Sequence, residues 1–117
     1  MAKYRNQLPQ LDGSTYLTDG GMETVLVYID GIELREFAAF ELLNDQRGTG
    51  RLYDYLARHA KIAVENETGF ILDGPTWRAS AAWGEKLGYS IADLERINLQ
   101  SIELLEQVRT SFENEAS

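Results

Sequence analysis

The stretch Tyr16-Leu17-Thr18-Asp19-Gly20-Gly21-Met22-Glu23-Thr24 decides the fold class that this sequence predicts. Thr15, Tyr16 and Leu17 suit a partly buried β-strand, and the acidic residue and paired glycines mark the carboxyl end of that strand. Glycine has no side chain and accepts positive φ, so a ligand can approach the peptide N–H groups there. The segment therefore predicts either a strand that runs into a binding site or an ordinary Asp-Gly turn.

A second stretch, Gly69-Phe70-Ile71-Leu72-Asp73-Gly74-Pro75-Thr76-Trp77-Arg78-Ala79-Ser80, follows the same plan, with apolar residues first and then turn-forming, polar and aromatic residues. The pattern between the two stretches is predominantly helical. A strand, a helix and a parallel strand in this order place both carboxyl ends at one edge of a sheet. Open α/β sheets and β/α barrels build their sites at that edge.

Three segments together carry a resemblance to a known family. They are Leu17-Thr18-Asp19-Gly20-Gly21-Met22-Glu23-Thr24, then Thr76-Trp77-Arg78-Ala79-Ser80, then the Gly88-Tyr89-Ser90 region. They resemble the amino-terminal part of the homocysteine S-methyltransferase family, whose (β/α)8 barrel binds homocysteine, usually with a zinc ion held by three cysteines. From about Tyr16 onward, the resemblance implies an α/β fold. It would be the amino-terminal portion of a TIM-type barrel, with about two βα units plus extra helices.

The resemblance also implies a set of substrate-binding residues. Asp19, Gly20 and Gly21 would line the homocysteine pocket, with Thr76 and Trp77 beside it. Trp77 would either wall the methyl-donor side, where an aromatic face attracts a sulfonium or ammonium methyl group, or fill the barrel mouth. The implied reaction transfers a methyl group to the thiol of homocysteine, or of a related thiol, and gives methionine.

Some residues and the length depart from the family pattern. Glu23 stands where the family often has Gly, Trp77 where many members have Tyr, and Pro75 where Asn is frequent. The chain has 117 residues, whereas such a barrel needs about 250. We therefore expect residues 1–14 to be a polar lead-in and residues 15–117 to be a partial homocysteine-binding domain, truncated before the third strand and inactive alone.

Composition limits the metal chemistry. The sequence has no cysteine, which excludes disulfides and thiolate metal sites in this chain. In the family, the zinc-binding cysteines lie in later strands, beyond Ser117, so the resemblance implies no cofactor in this chain and zinc in a full-length parent. His59 is the one histidine of the sequence, and we expect it to be a packed or rim residue with one hydrogen bond.

Charge and hydropathy indicate the partners. A formal net charge of -8 argues against nucleic acid and anionic membranes, so a small-molecule substrate, homocysteine, is expected. No signal-peptide pattern or long apolar run is visible, which predicts a cytoplasmic protein.

Unpaired strand edges predict self-association of the isolated chain. The alternative is a non-catalytic acidic α/β binding or interaction protein that reuses only the βαβα scaffold.

Periodicity and capping signals predict the helices. The run from Met22 to Tyr28 fits a strand or a helical turn, and its position after the glycines favours the turn. Three further helices are predicted over residues 34–43, with Phe37 and Phe40 in the core, over residues 51–67 and over residues 79–86. Gly88 is expected to cap the third of these. Ser90 and Asp93 resemble a capping box at the start of a helix over residues 91–112.

Overall fold

The computed structural model describes residues 5–116, and the side chains of residues 5–113. The strands are β1 (Tyr16–Thr18) and β2 (Gly69–Ile71). The α-helices are α1 (Met22–Tyr28), α2 (Gln46–Glu65), α3 (Ala81–Leu87) and α4 (Ile91–Ala116). Short 3₁₀ helices cover Pro9–Leu11, Arg35–Phe37 and Ala39–Asn44.

The two strands pair in parallel, as the sequence predicts. In the register of this pair, Tyr16 lies opposite Gly69 and Thr18 lies opposite Ile71. The Tyr16 ring packs directly against Gly69, and only glycine fits there, because a Cβ atom on residue 69 would lie 2.3 Å from Cε2 of Tyr16. The aromatic ring thus covers the backbone of the neighbouring strand.

The predicted fold class is wrong. Among residues 5–116 the structure is mostly helical, and its sheet has just these two strands, so it is not the amino-terminal portion of a barrel. The reason lies in what is buried. Tyr16, Leu17 and Phe70 in the strands are only partly buried, whereas the fully buried side chains come from the helices. The largest of these are Leu26, Phe40, Leu52, Tyr55, Leu56, Ile97, Leu104 and Val108, and the smaller Ser101 on α4 is buried with them.

The segment predicted as one helix over residues 34–43 forms two 3₁₀ helices instead. Glu36 and Phe37 adopt the left-handed conformation, with φ of 51° and 59°, and so interrupt the predicted helix. An α-helix turns 100° per residue, so it could not direct three successive side chains into one core. The break lets the consecutive residues Ala38, Ala39 and Phe40 all be buried. Phe40 is therefore a core residue, as predicted, whereas Phe37 is only partly buried.

A polar network holds this 3₁₀ segment against the connection between α3 and α4. The Arg35 guanidinium donates to the Glu41 carboxylate and, at 3.3 Å, to the carbonyl oxygen of Leu87. The Tyr89 hydroxyl donates to Oε2 of Glu41 at 2.9 Å and accepts from Nδ2 of Asn44 at 2.7 Å. Burial, followed by the hydrogen bond to Glu41, raises the pKa of Tyr89.

The other predicted helices are confirmed, with different bounds. The helix predicted from residue 51 begins at Gln46, because Asp45 caps it by accepting a 2.6 Å hydrogen bond from the amide of Gly48. Gly88 ends α3 with φ of 89°, as expected for a left-handed cap. The Ser90 amide donates to Oδ2 of Asp93 at 3.0 Å, and the Asp93 amide donates to Oγ of Ser90 at 3.1 Å.

This capping box predicts a pH dependence. Hydrogen bonds from the Ser90 backbone and side chain lower the pKa of the Asp93 carboxyl from its ordinary value of 3.8. The ionised carboxylate therefore stabilises the folded chain above pH 3.8, and this stabilisation is lost as the pH falls through the lowered value. On acidification below about pH 3.8, we expect the parent to lose more free energy of unfolding than Asp93→Asn, in urea titrations. Parallel pH profiles for the two proteins would contradict this.

Candidate functional site

The candidate site lies at the carboxyl edge of the sheet. Asp19 follows β1 directly, and the turn with Thr76 and Trp77 follows β2. Because the strands are parallel and in register, both segments leave the sheet at the same edge, as the sequence predicts.

Asp19 is held by a tyrosine from α2. The Tyr55 side chain is fully buried, and its hydroxyl donates a 2.9 Å hydrogen bond to Oδ2 of Asp19. Burial, followed by the hydrogen bond and the charge of Asp19, raises the pKa of Tyr55, with a smaller effect from Glu23. The phenol is therefore neutral near pH 7 and remains a donor. It fixes one oxygen of the Asp19 carboxylate and thereby sets the direction of the group.

His59 supports Tyr55 from one turn further along α2. Its ring lies 4.6 Å from the Tyr55 ring, tilted by 45°, and its Nδ1 is 3.0 Å from the Tyr55 carbonyl oxygen. A carbonyl only accepts, so Nδ1 carries the proton that is donated to it. The prediction of a packed or rim histidine with one hydrogen bond is confirmed.

The glycines beside Asp19 do not use the conformational freedom that the sequence suggested. Gly21 has φ of -81° and precedes α1, and the described glycines with positive φ are Gly13, Gly31 and Gly88, not Gly20. A Cβ atom on Gly20 would meet no heavy atom within 4 Å, whereas one on Gly21 would lie 3.4 Å from Thr24. The space next to Asp19 on the Gly20 side is therefore open.

Thr76 and Trp77 lie in a tight turn, in which the Ala79 amide donates to the Thr76 carbonyl at 3.0 Å. Trp77 is 64% exposed, and the Arg78 guanidinium carbon lies 4.0 Å from the centre of its ring. One face of the indole is thus already occupied by a cation of the same chain. Within the part of the chain that the structure describes, Asp19 bonds to α2 rather than to this turn.

Two residues of this region have roles that sequence reasoning did not assign. Tyr55 lies within the helix that was predicted over residues 51–67. A buried tyrosine hydroxyl needs a hydrogen-bond partner, and that requirement was the available signal. Arg78 lies in the segment from Thr76 to Ser80, but no role was predicted for it. It contacts both tryptophans of the chain, since its guanidinium carbon is also 3.8 Å from the ring centre of Trp83.

A large cleft lies elsewhere on the described part of the chain. A cleft of about 790 Å³ opens over the sheet, between the carboxyl-terminal parts of α2 and α4. Its apolar walls include Tyr16, Phe70, Ala63, Val108 and Phe112. Neither Asp19 nor Trp77 lines it, so this cleft is separate from the candidate site.

The residues present do not fit the zinc ion that the resemblance implies. Zinc in such sites takes thiolate and imidazole ligands, and the sequence has no cysteine and one histidine. Among residues 5–116, no three histidine or acidic side chains are grouped as metal ligands. No step of the chemistry is therefore assigned to a metal held by this chain.

Comparison with protein-family models, with curated proteins and with solved structures gave no match. In the described residues, no helix combines the length and the apolar character that crossing a membrane requires.

Proposed function

We propose that this chain supplies part of the homocysteine-binding site of a methyltransferase, which transfers a methyl group to the homocysteine thiol and forms methionine. The proposal rests on the resemblance of the segment from Leu17 to Thr24, and one structural observation supports it most. This is the 2.9 Å hydrogen bond from the buried Tyr55 hydroxyl to Asp19, beside the open space at Gly20. A cytoplasmic location belongs to the same proposal.

The chemistry of the substrate explains the role of Asp19. Homocysteine carries an ammonium group, and an ionised carboxylate binds such a group through charge-assisted hydrogen bonds. Tyr55 orients the carboxylate before the ligand arrives, which reduces the ordering cost of binding. The orientation persists at neutral pH because the phenol is protonated there, since its pKa is raised above the ordinary value of 10.0.

Activation of the thiol is a separate requirement. A free thiol has a pKa of about 8.5 and is mostly neutral at pH 7, so the reaction needs a group that favours the thiolate. No residue of this chain is assigned that role, and the proposal places it outside the chain. The part played by this chain is substrate binding.

The test is the affinity of the chain for L-homocysteine, measured by calorimetry. Asp19→Asn keeps the shape of the side chain but removes its charge, and we expect a loss of about 1.5 to 3 kcal/mol in binding free energy. Asp73→Asn is the matched control, because Asp73 is an exposed carboxylate near the carboxyl end of the other strand. This control should bind as the parent does.

Two results would count against the proposal. If the parent chain does not bind L-homocysteine, the proposed function fails, and a non-catalytic binding or interaction protein becomes the better explanation. If the parent binds but Asp19→Asn and Asp73→Asn both bind equally well, the substrate contacts lie elsewhere on the chain.

A further inference from the structure

The Arg78 guanidinium packs against two indole rings. Its central carbon is 4.0 Å from the ring centre of Trp77 and 3.8 Å from that of Trp83. Its Nε atom is buried and, within the described residues, has no hydrogen-bond partner. Next to it, Lys86 lies 5.0 Å from the ring centre of Trp83 and forms a 3.7 Å ion pair with Glu36.

Several arginines of the described residues form ion pairs with carboxylates. Arg35 pairs with Glu41, and Arg58 pairs with Asp30 at 3.2 Å. Arg96 lies 3.7 Å from Asp93. In the described part of the chain, Arg78 has no carboxylate within 4.0 Å, and neither have Arg47 and Arg51. Arg78 differs from these two because its contacts are with aromatic rings.

The stacking restricts how a ligand can reach Arg78. A guanidinium is planar, and its N–H donors all point outward in that plane. Because two indole rings pack against the central carbon of the guanidinium, an acceptor is expected to approach along the edge where the N–H donors project. An acceptor with two oxygens in one plane, as in a carboxylate, matches two adjacent N–H donors. A buried Nε without a partner favours a ligand that supplies one.

We propose that the edge of Arg78 binds the carboxylate of an amino-acid ligand, with the indoles of Trp77 and Trp83 as its walls. Lys86 is paired with Glu36, so Arg78 offers one uncompensated positive charge on a chain of net charge -8, which suits a monovalent carboxylate better than a phosphate dianion. Trp77 is 64% exposed, so its ring can yield when the ligand reaches Nε. The identity of the amino acid as homocysteine rests on the proposed function, in which Asp19 binds the ammonium group.

Tryptophan fluorescence is a direct readout of this site. The sequence has two tryptophans, Trp77 and Trp83, and both contact Arg78, so the emission of the whole chain reports on this cluster. The probes are L-homocysteine, 3-aminopropane-1-thiol, propionate and inorganic phosphate. The thiol amine is homocysteine without its carboxylate. We expect a saturable change in emission with L-homocysteine, and at least about tenfold weaker binding of the amine.

Arg78→Lys tests the guanidinium itself. The substitution keeps the charge but removes Nε and the planar pair of donors, so L-homocysteine and propionate should bind about tenfold more weakly. Binding of 3-aminopropane-1-thiol should be unchanged. Arg47→Lys is the control, because Arg47 is an exposed arginine in the first turn of α2, and it should bind every probe as the parent does. Circular dichroism establishes that the variants are folded.

The outcomes separate this inference from the proposed function. Equal binding of L-homocysteine and the amine by the parent overturns the carboxylate site, even if Arg78→Lys does not fold, while the methyltransferase proposal survives. Saturable propionate binding that Arg78→Lys loses, without any homocysteine binding, supports the carboxylate site and removes the proposed function. Tighter binding of phosphate than of propionate, or no saturable response to any probe, also overturns the inference.

Discussion

Gly20→Val is expected to weaken L-homocysteine binding by about 100-fold or more, about 2.7 kcal/mol, without lowering the melting temperature. A Cβ atom at Gly20 would meet no heavy atom of the chain within 4 Å, and Gly20 is not among the glycines with positive φ. The backbone therefore accepts a branched side chain without strain. That side chain would occupy the space beside Asp19 that the proposed function gives to the substrate.

Calorimetry and thermal unfolding on the same samples test this prediction. Gly20→Ala is the graded control, and its smaller side chain should produce an intermediate loss of affinity. If Gly20→Val bound homocysteine as the parent does, the Asp-Gly-Gly segment would be an ordinary turn. A large fall in melting temperature would instead show that the space beside Gly20 is needed for folding.

Phe40→Ala is expected to lower the free energy of unfolding by about 3 to 5 kcal/mol. The Phe40 side chain is fully buried, and its ring contacts the Tyr89 ring edge-on, with the centres 5.1 Å apart. The substitution removes apolar contacts and leaves a cavity between the 3₁₀ segment and the helices. Urea unfolding measures the effect.

The control for this variant is Leu99→Ala, because Leu99 is 66% exposed on α4 and should change stability by no more than about 0.5 kcal/mol. A loss of less than about 1 kcal/mol for Phe40→Ala would mean that Phe40 is not a core residue. The conclusion that the 3₁₀ segment is a central part of the core would then be wrong.

Features with a local chemical cause were predictable from the sequence. Gly88 at the end of α3 and the reciprocal bonds of Ser90 and Asp93 follow from residue types a few positions apart. The parallel pairing of the strands followed from the strand, helix, strand order. Each of these depends on short segments or on chain connectivity alone.

The fold class depends on which elements bury their side chains, and strand patterns do not reveal this. Tyr16 and Phe70 have the residue types of a sheet that forms a core, yet they are only partly buried, and α2 and α4 supply most of the core instead. The left-handed conformation of Glu36 and Phe37 was also not predictable from the sequence, because neither is a residue type that favours positive φ.

The candidate site was predicted in part. Asp19 was identified from its position after a strand, but its partner Tyr55 depends on how α2 packs against β1, which no local pattern contains. Arg78 differs, because both of its ring contacts come from the same short segment, Trp77 and Trp83. The sequence has a tryptophan on each side of Arg78, and this pattern could have predicted the contacts between the guanidinium and the two rings.

The sheet also bears on the order in which the chain folds. Each strand has three residues, and α1, the 3₁₀ segment and α2 lie between them. Contacts between segments so distant in sequence form slowly, because the intervening chain must first be ordered. We expect the helices to assemble before the strands pair, and this pairing to open more readily than the helical core. Asp19 directly follows β1, so a ligand that contacts the ends of both strands binds only molecules in which the sheet is closed. The free-energy cost of closing the sheet is then part of the cost of binding. The apparent affinity is reduced in proportion to the fraction of molecules in which the strands are unpaired.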